Sequence, residues 1–316
     1  MKFSLSFVLL AAIQLASAAP SNEILKRADV NDVAAVGYAA LGGTTGGSGG
    51  TTTTVSTLEE LAAAVEGSEA KIVIISGTIT GNEVLRVGSN TSVLGAAGSS
   101  LEGVGLRVYK ESNVILRNLK VSKVLAEAGD AIGIQEASNV WVDHLDLSSD
   151  LDHDKDYYDG LLDITHGCTY VTVTNSYLHD HYKASLVGHS DNNGDEDTAM
   201  TVTYALNYWE NLNSRTPSFR FGTGHIYNNY YVDNNAGINT RDGAQLLVED
   251  NVWSGGSDPL YSTDEGFAVA IDNDFGGMEN TAPEGTFTSA PYDYTLLPAA
   301  EVAATVVADA GQTLDF

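Results

Sequence analysis

Cysteine is nearly absent: Cys168 is the only one in 316 residues, so no intrachain disulfide can form. A secreted chain of this size can do without one, because its core is large enough to stabilise it. Basic residues are also scarce. Fifteen Lys and Arg stand against 42 Asp and Glu, a formal net charge of -27. That balance argues against nucleic acid or an anionic membrane as the main partner. The apolar stretch Phe3 to Ala12 is too short to span a bilayer. It follows Lys2 and leads to Ala16-Ser17-Ala18, so residues 1–18 read as a secretory signal peptide. Lys26-Arg27 reads as a dibasic processing site, which makes 19–27 a propeptide and 28–316 the mature, extracellular chain. Removing Lys2, Lys26, Arg27 and Glu23 leaves 12 basic and 41 acidic residues, a net of -29.

Several motifs are missing as well. The Gly-rich run Gly42 to Gly50 lacks the Gly-Lys-Ser/Thr ending of a phosphate loop and reads as a surface turn. Asp152-His153-Asp154-Lys155-Asp156 alternates like an EF-hand start but lacks its sixth-position Gly and twelfth-position Glu. No Gly-x-Ser-x-Gly elbow and no zinc-type histidine spacing occur among the seven histidines. His144 and His225 sit inside β-rich runs and read as structural residues. His179-Asp180-His181 reads as a turn that satisfies itself.

What is present is repetition. Ser56 to Ala62 has the capped start of a short helix, and Lys71 to Ile75 opens a series of strands. Short β-rich runs then recur around Asn118, His144, Asn175, Asn207, Asn229 and Asn251, spaced 26, 31, 32, 22 and 22 apart. A minimum spacing near 22, stretched by insertions, is the pattern of a solenoid. Strands joined by turns without helices between them favour an all-β parallel β-helix over a doubly wound sheet, and the period is too short for a propeller blade. The recurring asparagines would stack from coil to coil. Three insertions, 121–139, 147–170 and 178–203, follow the same strand position and would project from one side, as binding loops do. Leu296 to Gln312, rich in Ala and Val, reads as a coil or short helix laid along the solenoid.

Those insertions hold Asp130, then Asp150, Asp152, Asp154, Asp156, Asp159 and Asp163, then Asp191, Asp195, Glu196 and Asp197. Clustered carboxylates repel and need a cation or solvent. On composition alone the second loop is a solvated acidic loop; if it binds a metal, hard oxygen donors suit calcium rather than zinc. Lys183, Arg215, Arg220 and Arg241 are four of the twelve basic residues of 28–316. Arg215-Thr216-Pro217-Ser218-Phe219-Arg220 puts two guanidiniums five residues apart. They suit paired carboxylate recognition, or surface ion pairs with the chain's own acids. Asn90-Thr91-Ser92 is a glycosylation sequon, and Cys168 reads as a small buried apolar residue.

In order along the chain, several segments resemble the pectate/pectin lyase family, polysaccharide lyase family 1, in its fungal secreted form. They are Asn139-Val140-Trp141-Val142-Asp143-His144, the stretches Gly129-Asp130-Ala131-Ile132 and Asp159-Gly160-Leu161-Leu162-Asp163, Lys183 before Ala184-Ser185-Leu186-Val187-Gly188, and Arg215 to Arg220. The resemblance implies a single-stranded right-handed parallel β-helix and eliminative cleavage of pectate with calcium as cofactor. It implies that Asp130, Asp159 and Asp163 bind calcium, that Arg215 takes the C5 proton, and that Lys183 and Arg220 hold substrate carboxylates. An arginine is protonated at ordinary pH, so the base role implies an alkaline optimum. Many relatives carry a further Asp where this chain has Ala128, which puts calcium number and affinity at issue. The nearest rival is a pectin lyase acting on methyl-esterified polymer without calcium. A polygalacturonase would need cooperating carboxylates, yet its Asn-Thr-Asp and Asp-Asp motifs are absent. A non-catalytic binding solenoid would not need Arg215, Lys183 and Arg220 together. A monomer is expected.

Overall fold

The computed structural model describes residues 26–316, so the expected signal peptide, 1–18, and residues 19–25 of the expected propeptide lie outside the described residues. Lys26–Arg27 pairs in parallel with Leu314–Asp315, which brings the start and end of the described chain together.

The chain winds as a right-handed parallel β-helix whose coils each contribute to three strand rows. The first row has ten strands, from Thr51–Val55 to Phe267–Ile271. The second includes Lys120–Ser122, Asp146–Ser148, Tyr177–Lys183 and Tyr208–Ser214. The third includes Ile132–Gln135, Leu162–Thr165, Leu186–Val187, Ser218–Arg220 and Ile238–Arg241. Ser100–Tyr109 is long enough to serve the second row with its start and the third with its end.

Alternation explains the core. In the first row Val114, Val140, Val171 and Val202 stack in register and are fully buried. Two residues on, Leu116, Val142, Val173, Tyr204, Ile226 and Val248 repeat the stack. β-branched side chains fit this half-buried pleated surface, and each inward position meets its own kind one coil away. Helix Leu58–Val65 buries Leu61 and Val65 in the same core. It starts in a capping box: Thr57 Oγ1 accepts from the Glu60 N–H at 3.2 Å, while the Glu60 carboxylate accepts from the Thr57 N–H at 3.2 Å. Helix Ala299–Asp309 lies along the side of the solenoid, burying Val302 and Val306 against Val252, as expected for the C-terminal stretch.

The asparagine ladder exists at the expected Asn207, Asn229 and Asn251, while the expected Asn118, His144 and Asn175 stand one residue out of step with it. Asn207, Asn229, Asn251 and Asn273 form it: each Nδ2 donates to the next Oδ1 at 2.9 to 3.0 Å, and Asn229 also donates to the Tyr204 carbonyl at 3.0 Å. Asn118, His144 and Asn175 belong to the preceding column, with Leu206 and Asn228, where φ lies between +47° and +59°. The turn needs a left-handed residue, and in the later coils an asparagine follows it. Asparagine suits both places, so the two columns look alike in sequence.

The insertions also divide differently. Residues 123–131 and 149–161 follow the second row, whereas the third insertion, 188–200, starts after Leu186–Val187 in the third row. Loops therefore flank the third row on both of its edges and make a cleft of it. Asn90, in the sequon, is half-buried at φ +54°, and its amide donates to the Ser68 carbonyl at 3.0 Å while its Oδ1 accepts from Asn113 at 2.8 Å. Cys168 is fully buried, and burial pushes its thiol up to about 12, so it packs as a small apolar residue.

Candidate active site

Asp163 stands on the third-row strand Leu162–Thr165 with its side chain turned out of the core. Its Oδ1 accepts from the Leu186 N–H of the next coil at 2.8 Å. Asp130 ends the first insertion, and its Oδ1 accepts from the Gly160 N–H at 3.0 Å. Burial, then the charge of Asp130, pushes the Asp163 carboxyl well above its ordinary range. Burial, then the charge of Asp159, raises Asp130 to about 6. The fold thus holds partly desolvated carboxylates against each other, an arrangement that a cation relieves. Gly160 makes room for it. A Cβ there would stand 2.4 Å from Asp163 Oδ1 and 2.9 Å from Asp130 Oδ1.

Cations of the chain itself already meet these acids. Lys183 Nζ lies 3.1 Å from Asp159 Oδ1 and 3.5 Å from Asp156 Oδ1. Arg215 Nη1 lies 3.7 Å from Asp163 Oδ2. Lys183 ends the second-row strand Tyr177–Lys183 and pairs with Ser214, so Lys183 and Arg215 reach the cleft from neighbouring coils. Arg215 has φ +63° and precedes the cis Thr216–Pro217 bond, in a turn anchored by Thr216 Oγ1 donating to the Ala236 carbonyl at 2.5 Å. Left-handed φ values recur at the corners of this solenoid, so the one at Arg215 belongs to the fold rather than marking a site by itself. Arg107, Gly133, Thr165, Leu186, His189 and Arg215 line, with the three aspartates, an open cavity of about 320 Å³.

Five of the six sequence-chosen site residues therefore converge: Asp130, Asp159, Asp163, Lys183 and Arg215. Arg220 stands further along the third row. Its Nε donates to Asp191 Oδ1 at 2.6 Å, and its register partner is Arg241, which also reaches Asp191 at 3.3 Å. The acids at 150–156 serve mostly their own loop. Asp150 accepts from Tyr158 at 3.0 Å and meets His153 at 2.8 Å, and these bonds outweigh desolvation to hold it down at about 2. Ala128, where many relatives carry an acid, packs its methyl against the core.

His179 and His181 satisfy their turn as expected. His181 Nε2 donates to the Asp159 carbonyl at 2.6 Å and its Nδ1 faces the Ser149 hydroxyl at 2.6 Å; burial lowers it to about 4, so it stays neutral and fixes the turn. His179 bridges Asp146 and Asp180. The Asn139 to His144 segment lies in the first row, away from this cleft. There Asp143 is buried, pairs with Arg117 at 2.7 Å and accepts from Thr174 at 2.7 Å. It marks the fold rather than the chemistry. Arg107, His189 and Asp191 were not legible as site residues. Arg107 becomes so only through the register, because it shares a column with Gly133 and Asp163.

Among the described residues no group of three or more His, Cys, Asp or Glu side chains closes around a metal position. The donor set nonetheless fits a hard divalent cation: three carboxylates, two of them buried and mutually repelling, beside a glycine that leaves space.

Comparison with known proteins bears on the same region. A family model described as pectate lyase matches residues 9–312. The chain is 62% identical to a probable pectate lyase A of Aspergillus niger, over 98% of this chain and 96% of that one. It is 60% identical to a probable pectate lyase A of Aspergillus fumigatus over the full length of both. Among solved structures it is similar to a pectate lyase of Bacillus sp. N165 in complex with trigalacturonate, at 28% identity and a TM-score of 0.79, covering 88% of this chain and 98% of that one. It is also similar to pectate lyase II of Xanthomonas campestris, at 29% identity and a TM-score of 0.78, covering 89% and 98%.

Proposed function

The chain belongs to the pectate lyase family, and from that premise we propose that it cleaves (1→4)-α-D-galacturonan by calcium-dependent β-elimination. The products would be oligosaccharides with 4-deoxy-α-D-galact-4-enuronosyl ends. The observation that carries this reading is the guanidinium of Arg215 held 3.7 Å from a buried aspartate on the floor of a cleft that also holds Asp130, Asp159 and Lys183.

The C5 proton of a galacturonate is α to a carboxylate and only weakly acidic. Arg215, in its neutral form, takes that proton. The C5–H electron pair becomes the C4=C5 double bond, the C4–O bond breaks, and the leaving oxygen is protonated from solvent. Lys183 and Arg220 hold substrate carboxylates on either side of the reacting bond, Arg220 by exchanging its partner Asp191 for the sugar acid. Asp130, Asp159 and Asp163 would hold the calcium, which would supply charge withdrawal from the substrate carboxylate beside them. His181 keeps the Asp159 backbone in place. The cavity lining holds three carboxylates and no Phe, Tyr or Trp, which suits an acidic polymer bridged by metal rather than a methyl ester. The enzyme would be exported by its signal peptide, trimmed after Arg27, and act outside the cell as a monomer.

The test is ultraviolet absorbance of the unsaturated product during incubation with polygalacturonate. Absorbance should rise with added calcium, stop with chelator, and vanish in Arg215→Ala, which should lose roughly 10²–10⁴-fold in kcat. A rise indifferent to chelator and stronger on methylated pectin would replace this reading with pectin lyase. New reducing ends without absorbance would mean hydrolysis.

A further inference from the structure

Arg86 and Arg107 are direct register partners on neighbouring coils of the third row. Both lie close to the ring of Tyr109, Arg86 at 4.9 Å and Arg107 at 5.4 Å from its centroid. Like charges side by side across strands cost stability. Chains usually relieve such a pair with an acid, and this chain has 42 of them. Yet neither arginine makes an ion pair with any acid of the described residues. Arg107 donates instead to the neutral amide of Gln135. The neighbouring Lys110, by contrast, is paired with Glu136 at 3.3 Å. Arg107 thus meets Asp130 only across the cavity, through its charge, and Arg86 makes no ion pair among the described residues, so both guanidiniums remain open to an incoming carboxylate.

Their position explains them. The outward column of the third row runs Arg86, Arg107, Gly133, Asp163. Coils are about 4.8 Å apart, so Arg86 stands roughly 14 Å from the catalytic floor at Asp163. Gly133 carries no side chain to block the way between them. Arg107 lines both the 320 Å³ cavity and an adjoining one of about 170 Å³ that extends past Ala128 and Gly129 toward Val84. Arg220 and Arg241 lie beyond the floor on the opposite side, so the cations extend the cleft in both directions along the solenoid axis.

We propose that Arg86 and Arg107, braced on Tyr109, form a distal subsite for a carboxylate of the same polyuronate chain, several sugars away from the bond that is cleaved. The inference rests on the galacturonan-lyase reading of the cleft. A pyranose advances a 1→4 chain by roughly one coil spacing, about 4.8 Å. A trimer seated across Lys183 and Arg220 ends short of Arg86, whereas a hexamer or the polymer reaches it. The subsite therefore adds affinity only for long chains, and it sets a preference for polymer over short products.

The experiment compares kcat/KM on trigalacturonate and on polygalacturonate at saturating calcium, for the wild type, Arg86→Gln and Arg86→Glu. Arg86 is exposed and lines neither of the two cavities, so both variants should fold, which thermal unfolding checks. On polymer, loss of one exposed charge contact should lower kcat/KM about fivefold in Arg86→Gln, and more in Arg86→Glu. On the trimer both variants should match the wild type. Hexagalacturonate binding by calorimetry should weaken in the same order, with a shallower salt dependence. Equal losses on trimer and polymer, or no loss on polymer, would overturn the subsite. A wild type that turns over neither substrate would instead overturn the lyase reading beneath it.

Discussion

Gly160 lies between two buried carboxylates, and one added methyl would reach both. The Cβ of an alanine there would stand 2.4 Å from Asp163 Oδ1, which is already committed to the Leu186 N–H. Either the carboxylate rotates away from that N–H or the 159–161 turn moves outward. Both changes disturb the proposed calcium ligands while leaving the core stacks alone. Gly160→Ala should therefore raise the calcium concentration for half-maximal activity by about tenfold or more, a cost typical of disturbed metal ligation. Its thermal midpoint should stay near that of the wild type. Activity followed against free calcium checks this. An unchanged half-saturation would remove Asp130 and Asp163 from the calcium site.

At the scale of elements, residues 291–295, a strap that lies over the first row, carry a second polar network, remote from the cleft. His225 is fully buried; its Nε2 meets Glu249 at 2.9 Å and its Nδ1 faces the Tyr292 hydroxyl at 2.7 Å. Tyr294 donates to the same glutamate at 2.7 Å, and Tyr292 also meets Thr203 at 2.7 Å, so the strap is tied to the sheet through this histidine and glutamate. Burial lowers His225 to about 4 despite the carboxylate beside it. The folded chain thus refuses a proton that the unfolded chain accepts from about pH 6.5 downward. Stability should be full above that pH and fall as pH drops from about 6.5 to 4, by up to about 3 kcal/mol from this group. Urea midpoints at pH 7, 6, 5 and 4 should show the fall, and His225→Gln should flatten it. A wild-type curve level across that range would mean that His225 is protonated in the fold. The periodicity of 22 made the coils themselves legible in sequence, because inward valines and turn asparagines recur at the coil length. It did not fix the register. Two adjacent columns both accept asparagine, so Asn175 and Asn207 look equivalent although they occupy different ones. The same limit hid Arg86 and Arg107: insertions change the coil length, and only the paired strands show which residues share a face with Asp163. Lys183 and Arg215 were visible because basic residues are scarce in this chain, and motif resemblance then gave them roles.

On the whole molecule, charge is distributed against its mean. The 28–316 chain carries a net of -29, yet seven of its twelve basic residues lie on or beside the third row: Arg86, Arg107 and Lys110 at one end, Lys183 and Arg215 in the middle, Arg220 and Arg241 at the other. A polyanionic substrate approaching from far away meets the net charge and is repelled, whereas at the cleft it meets the row of cations together with the calcium that Asp130, Asp159 and Asp163 would hold, and it competes with their acidic partners. The two effects have different ranges, so salt separates them. At 0.01 M ionic strength the screening length is about 30 Å and the whole acidic surface is felt; at 0.1 M it is about 10 Å and only the cleft is. Raising salt between those values at saturating calcium should therefore raise kcat/KM on polygalacturonate, because repulsion is screened while the cleft contacts survive. Toward 1 M, where screening reaches about 3 Å, the exposed arginine contacts weaken too and kcat/KM should fall. A maximum at intermediate salt is the expected profile, read from initial rates at low substrate. A steady fall from the lowest salt onward would mean that the row of cations governs the field even at long range, and that the acidic remainder of the surface plays no part in substrate capture.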